Sequence, residues 1–351
     1  ALRDGFRRLE SLSIPVFLVH GNHDPLASRL RSVRWPGNVT VFGELPDAVP
    51  VFRKGEGTPL AIIHGASHAS GRETRNLAAL FRRTEACGLH VGLLHATPGD
   101  ADGVARYAPF SQGDLKASGM DYWALGHIHD RREVCREPLA AYPGCTQGLH
   151  INEPGEKGCL LVTAEARPDG GYAVRTSFRP LGPAVWKTLD MDLGGAASLD
   201  ELENRLRTGL DRAVAEVWSG CEMLLVRLRL QGRTELDGLL RKGTTCAELA
   251  DRLREDGSGV PRIWIKDIDV ATRPCVERGA LLEREDLLGE VFRLSEAART
   301  ASGLQALREG PLAPLFAHAR AGKALEPLTD EELARLLDDA ESLCLDLLEN
   351  D

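Results

Sequence analysis

Apolar and polar positions along this chain follow two periods. Leu2, Phe6, Leu9 and Leu12 recur at helical spacing, so the sequence opens inside an amphipathic helix. Ile14-Pro15-Val16-Phe17-Leu18-Val19 is a short apolar run between turn residues and predicts a buried strand that ends on Gly21-Asn22-His23-Asp24. Similar runs at 39–42, 60–63, 89–94 and 122–125 predict further strands, with a helix over 74–84 between them. This alternation predicts an α/β layered fold. Three more strands, at 139–142, 159–163 and 172–178, are separated by Gly/Pro turns and close a first domain over 1–180. Arg179-Pro180-Leu181-Gly182-Pro183 marks its boundary.

Beyond that boundary the pattern predicts a small α/β unit over 184–275. A strand at 186–193 is followed by a helix at 199–217 and a strand at 223–230, then a helical region and a strand at 262–270. In the middle strand Leu225, Arg227 and Arg229 alternate with Leu224, Val226, Leu228 and Leu230, which suits a sheet face open to solvent or a stripe facing a polyanion. The unit offers no catalytic cluster. Residues 281–351 read as helical throughout. Leu287, Leu288, Phe292 and Leu294 lie in one segment, Leu333, Leu336, Leu337, Leu343, Leu345 and Leu348 in another, and a Pro-containing loop separates them. A hairpin folded on the body and a docking platform for a partner helix both fit this pattern.

Composition bounds the function classes. With 351 residues the chain is long enough for two or three domains. The apolar share of 43% and charged share of 27% are ordinary for a globular protein. No window approaches the ~18 uninterrupted apolar residues of a membrane span, so no membrane partner is expected. A net charge of −9 excludes a uniformly basic coat, and any nucleic-acid contact must be local. The eight cysteines form no Cys-x-x-Cys pair, which points to reduced thiols in the cytoplasm. No apolar leader opens the chain, and because residue 1 is Ala in mid-helix an upstream segment is expected.

Three segments set metal-binding side chains directly after apolar strands, where α/β sheets gather their sites. They are Val19-His20-Gly21-Asn22-His23-Asp24, Leu93-Leu94-His95 and Leu125-Gly126-His127-Ile128-His129. In the first, Gly21 allows a sharp turn while an amide oxygen and an imidazole project beyond the strand. In the third, histidines two apart in extended backbone point to one side and can reach one metal cluster. A lone histidine after a strand is usually structural; the constellation is what carries the metal reading.

Together these segments resemble the later motifs of the calcineurin-like metallophosphoesterases: Gly-Asn-His-Asp/Glu, a single His after a strand, and Gly-His-x-His, in that order. The resemblance narrows to the SbcD-like DNA repair exonucleases and their YhaO-like branch through Tyr142-Pro143-Gly144-Cys145-Thr146-Gln147-Gly148 and Glu156-Lys157-Gly158-Cys159-Leu160-Leu161-Val162. Gly65-Ala66-Ser67-His68 and Tyr122-Trp123-Ala124-Leu125-Gly126-His127 are similar as well. It implies a layered phosphoesterase β-sandwich core with flanking helices, a small α/β capping domain and a C-terminal helical region over 281–351.

Carried onto this sequence, the resemblance makes Asn22, His95 and His127 ligands of one metal and His129 a ligand of another. It sets His23 at the scissile phosphate, with Asp24 orienting its neighbours. Arg131 and Gln147 are candidate substrate contacts, although solvated arginines are common. His20, His64 and His68 read as packed or turn residues. The implied cofactors are two divalent ions, manganese first, with iron or zinc also compatible with mixed nitrogen and oxygen ligands. The implied partners are DNA and an SbcC-type coiled-coil ATPase, with a homodimer also in the family's habit.

The implied reaction is hydrolysis of DNA phosphodiesters. Phosphoesterase action on nucleotides or other small phosphoesters, and an inactive scaffold for an ATPase, remain open. The family's Asp-x-His and Gly-Asp motifs, which supply the bridging carboxylate and precede Gly-Asn-His, do not occur before Asn22, where Asp4 and Glu10 are the only acids. The chain as given is therefore expected to bind metal weakly and cleave little DNA. Full nuclease activity in manganese would overturn that expectation.

Overall fold

The computed structural model describes residues 2–28, 33–99, 106–168, 170–255, 259–275, 277–318 and 328–348. Its strands are β1 (Val16–Leu18), β2 (Val39–Val41), β3 (Asp47–Phe52), β4 (Pro59–Ala66), β5 (Leu89–His95), β6 (Tyr122–Gly126), β7 (Arg132–Arg136), β8 (Leu139–Tyr142), β9 (Gly158–Ala166), β10 (Tyr172–Pro180), β11 (Ala184–Asp192), β12 (Met223–Thr234) and β13 (Arg262–Pro274). Its helices are α1 (Leu2–Ser11), α2 (Gln112–Ala117), α3 (Leu199–Ala215), α4 (Asp237–Leu240), α5 (Gly243–Glu255), α6 (Arg278–Leu282), α7 (Leu287–Ala298), α8 (Ala301–Glu309), α9 (Ala313–Ala317) and α10 (Asp330–Leu348). The expected α/β layering is borne out. No helix among the described residues is long and apolar enough to cross a membrane.

Two compact units divide the chain. One holds residues 1–191, 203–230 and 242–270; the other holds 192–202, 231–241 and 271–351, so the segment 184–275 contributes to both. In the first unit a six-stranded sheet runs in the order β3-β4-β5-β6-β8-β7. The pairs β4·β5, β5·β6 and β6·β8 are parallel, while β3 and β7 close the two edges antiparallel. Strand β5 alternates sides strictly, with His90, Gly92 and Leu94 buried. A Cβ on Gly92 would come within 2.6 Å of the Trp123 ring, so this glycine is what lets the indole lie flat across the sheet. Trp123, Phe81, Leu77, Leu94, Leu115 and Tyr142 form the core there, and the Tyr142 hydroxyl donates to the Ala96 carbonyl at 2.6 Å.

The helix expected over 74–84 is not formed; only a single 3-10 turn, Ala78–Leu80, appears. Leu77, Ala78 and Phe81 are buried while Leu80 is exposed, and local side chains claim part of the backbone. Glu73 accepts from the Arg75 N–H at 3.0 Å and from its guanidinium at 2.7 and 2.9 Å. Asn76 Oδ1 accepts from the Ala79 N–H at 3.1 Å. Phe81 then turns to extended backbone. Strands β3 and β7 and helix α2 were not read from the sequence; all three are short, β7 and α2 are rich in polar positions, and β3 carries Pro50 within its apolar run.

Strand β1 pairs in parallel with β2 rather than with the main sheet. Its exit is nevertheless tied to the end of β4: the His20 N–H donates to Ser67 Oγ and the His68 N–H to the His20 carbonyl, both at 3.0 Å. In the three-stranded sheet β11-β12-β13, the buried side of β12 carries Leu224, Val226, Leu228 and Leu230. The other side is a ladder of ion pairs. Arg227 forks onto Asp267 at 2.6 and 2.9 Å, and Arg229 bonds Asp269 at 3.2 Å and Asp190 at 3.5 Å.

The second unit packs Leu281, Leu288, Phe292 and Leu345 around α6, α7 and α10. Buried Glu341 accepts two bonds from Arg278, at 2.7 and 2.8 Å, and one from Arg299 at 3.2 Å. The Pro-containing loop expected before α10 lies partly outside the described residues.

Two buried imidazoles in the first unit predict acid sensitivity. His64 Nε2 lies 2.9 Å from His90 Nδ1, and His90 Nε2 donates to the Ala86 carbonyl at 3.0 Å. Burial first, then the charge of His90, pushes His64 down to about 4 from its ordinary 6.5. The unfolded chain therefore binds the extra proton first. Stability is full above pH 6.5 and falls between 6.5 and about 4, by up to about 3 kcal/mol for this group. Denaturation midpoints measured at pH 7 and 4.5 should show the loss. His64→Gln should reduce the slope without abolishing it, because His68, His90 and His95 are held down as well.

Candidate metal centre

Because β4, β5 and β6 run parallel, their carboxyl ends lie side by side, and the β1 exit is tied to the same end. Three of the sequence-predicted donors meet there. Asn22 Oδ1 lies 2.8 Å from His95 Nε2, and the His127 ring stands edge-on to His95 with centroids 5.1 Å apart. Two donor atoms held by one ion at about 2.1 Å and at right angles would sit roughly 3 Å apart. The Asn22 and His95 pair already has that spacing.

The chain builds this point with some strain. A Cβ on Gly21 would come 2.5 Å from His95 Cε1, and one on Gly126 would come 3.3 Å from its Nδ1. His127 adopts φ 104, a conformation that costs a residue other than glycine about 1–3 kcal/mol and that gathers at functional sites. Tyr107 packs edge-on against the His127 ring at 5.2 Å. His68, read from the sequence as a turn residue, supports the site from below: its Nε2–H donates to the His95 carbonyl at 2.6 Å and its ring meets His95 edge-on.

Protonation suits metal binding. Burial first, then the neighbouring His127, holds His95 down to about 3, so at neutral pH its lone pair is available to a cation. Asp24 shapes the turn. Its Oδ1 accepts from the Gly21 N–H at 2.9 Å and its Oδ2 lies 3.2 Å from Nδ1 of buried His20. His23 is exposed and close enough for its charge to act on His95, which puts it on the solvent rim of the group.

His129 makes its described contacts elsewhere. Its Nδ1 lies 2.6 Å from Glu153 Oε1, and among the described residues His129, Cys145 and Glu153 have donor atoms all within 4.8 Å of one another. Burial pushes the Glu153 carboxyl up, but bonds from His129 and the Leu149 N–H outweigh it and leave the group below its ordinary value. Neither Cys145 nor Glu153 was singled out from the sequence, since no spacing rule links them to His129.

Gln147 is a different case from the one expected. Its amide donates to the Gly148 and Ala184 carbonyls at 2.9 and 2.7 Å, and its Oε1 accepts from the Ala184 N–H at 3.2 Å. With the amide spent on fastening the closing loop, it is not directed at a substrate. The Arg131 guanidinium lies 3.9 Å above the Phe178 ring, which fixes its stem while leaving the residue exposed.

Residues 2–131 match the family described as calcineurin-like phosphoesterase, and residues 186–273 match the one described as metallophosphoesterase YhaO, middle domain. The chain is also 32% identical, over 320 residues, to the uncharacterized metallophosphoesterase YhaO of Bacillus subtilis (strain 168). That alignment covers 89% of this chain and 74% of the relative.

Gly21→Ala tests the packing argument. The added methyl should push His95 away from Asn22, leaving the far-UV spectrum intact while weakening manganese binding by calorimetry at least about tenfold. Unchanged binding would mean that the ring yields without cost.

Proposed function

This chain belongs to the calcineurin-like metallophosphoesterases, a family that uses divalent metals, and we propose that it hydrolyses phosphodiester bonds in DNA. The observation that carries the hydrolytic part is the convergence of Asn22 Oδ1 on His95 Nε2 at 2.8 Å, with His127 beside them. One amide oxygen and two imidazoles form a donor set without charge of its own. It leaves a bound cation strongly electrophilic, which draws in an anionic phosphodiester.

In this reading Asn22, His95 and His127 hold one ion and His129 a second. When bound, the pair supplies Lewis acidity at the phosphoryl oxygens and lowers the pKa of the attacking water. Everything else is done by side chains. Asp24 keeps the 20–24 turn in the shape that aims Asn22 at His95. His68 anchors the backbone of His95. His23, on the solvent rim, meets the substrate and hands a proton to the departing oxygen.

Support for DNA over a small phosphoester comes from what lies beyond the site. The chain continues into a YhaO-type middle domain and a set of helices, which a minimal phosphatase does not need. Those helices are proposed to bind a coiled-coil ATPase. Leu287, Leu294, Leu336, Leu343 and Leu347 are exposed on them, while α6, α7 and α10 pack on one another through a small core and the Arg278–Glu341 pair.

In manganese, the protein is expected to degrade plasmid DNA in preference to nitrophenyl phosphate. His95→Ala should abolish the activity, and His23→Gln should lower kcat by about 10²-fold with little change in metal binding. Hydrolysis of nitrophenyl phosphate without DNA cleavage would assign the site to small phosphoesters instead.

A further inference from the structure

We propose that His129, Cys145 and Glu153 form a separate binding site for a borderline-soft divalent cation of the zinc class, with His150 as the fourth ligand. Nitrogen, sulfur and carboxylate donors in one cluster are what such an ion selects, whereas a hard cation would leave the thiol unused. The donor atoms of the first three lie within 4.8 Å of one another. Tetrahedral coordination at about 2.0–2.3 Å sets its donors roughly 3.3–3.8 Å apart, so the His129–Glu153 pair, now at 2.6 Å, would open as the ion enters between them.

The backbone arranges this convergence. Gly144 turns with φ +82, and a Cβ there would come 2.7 Å from the His129 carbonyl, so the chain passes against 129–131 at a distance only glycine allows. That approach seats Cys145, whose N–H donates to the His129 carbonyl at 3.3 Å, while its own carbonyl accepts from the Gly158 N–H at 3.1 Å. The Glu153 carboxylate is aimed in advance. Its Oε2 accepts from the Leu149 N–H at 2.8 Å, leaving Oε1 facing His129 at 2.6 Å and His150 Nε2 at 3.6 Å.

The charges nearby suit a cation. Glu153 is buried, Asp130 is exposed, and buried Lys157 is matched by Asp130 at 3.6 Å. On binding, the Cys145 thiol gives up its proton to solvent, and bonds to the metal replace the His129–Glu153 hydrogen bond. No other bond forms or breaks.

This site shares His129 with the catalytic pair proposed above, so its occupation should withdraw that ligand and inhibit hydrolysis. The inhibition rests on that reading; the binding does not. The two are separated by titrating the metal-free full chain with cobalt(II) as an optical stand-in for zinc. A thiolate-to-cobalt charge-transfer band is expected, discharged by zinc. Cys145→Ser should remove it, and Glu153→Gln should weaken cobalt affinity at least about tenfold. Asn22→Ala, on the other centre, should leave the band unchanged.

A band that persists in Cys145→Ser, or none in the unaltered chain whose circular dichroism shows it folded, would overturn the site. So would loss of the band in Asn22→Ala, which would mean a single merged cluster. A band behaving as expected, with zinc leaving hydrolysis untouched, would keep this site and remove His129 from the catalytic reading.

Discussion

The imidazole of His95 stands in space that two glycines leave open, and the rest of the centre is arranged about it. With any side chain at 21 the ring would be displaced, since a Cβ there falls 2.5 Å from Cε1. The strand order makes this position possible. β5 lies between β4 and β6 in parallel, so its last residue emerges between two turns that bring Asn22 and His127 to it. Burial at that junction keeps the ring neutral, and neutrality is what a metal ligand needs. A single packing constraint thereby sets geometry and protonation together.

Much of this was legible in the sequence because the signals were local. Strands β1, β5 and β6 are short apolar runs, with Asn22 in the turn beyond the first, His95 as the last residue of the second and His127 directly after the third. Asn22, His95 and His127 could be singled out by their place at strand ends, before any distance was known. The helix at 74–84 was misread because apolar spacing reports burial, not hydrogen bonding, and Asn76 takes the Ala79 N–H that a helix there would bond to the carbonyl of 75. The contacts of His129 were illegible for another reason. Cys145 and Glu153 reach it through a glycine-permitted approach of two loops, and no periodicity in one segment encodes the path of another.

Gln147 and the arginines show the same limit from the other side. A polar residue near a presumed site invites a substrate role, yet Gln147 spends its amide on two carbonyls and an N–H of its own chain. Arg131 rests on Phe178. Residue type states what a side chain can do; only its partners state what it has left to offer.

The ladder on β12 carries a consequence for how this protein can meet a polyelectrolyte. Binding to DNA gains much of its free energy when cationic side chains neutralise phosphates and condensed counterions escape. Arg227 and Arg229 already have Asp267, Asp269 and Asp190 as permanent counterions, fixed by covalent connection to the same sheet. Nothing would be released if a phosphate took their place, because the displaced carboxylates cannot diffuse away. This face therefore contributes no salt-dependent attraction, and the slope of affinity against ionic strength reports on other parts of the molecule.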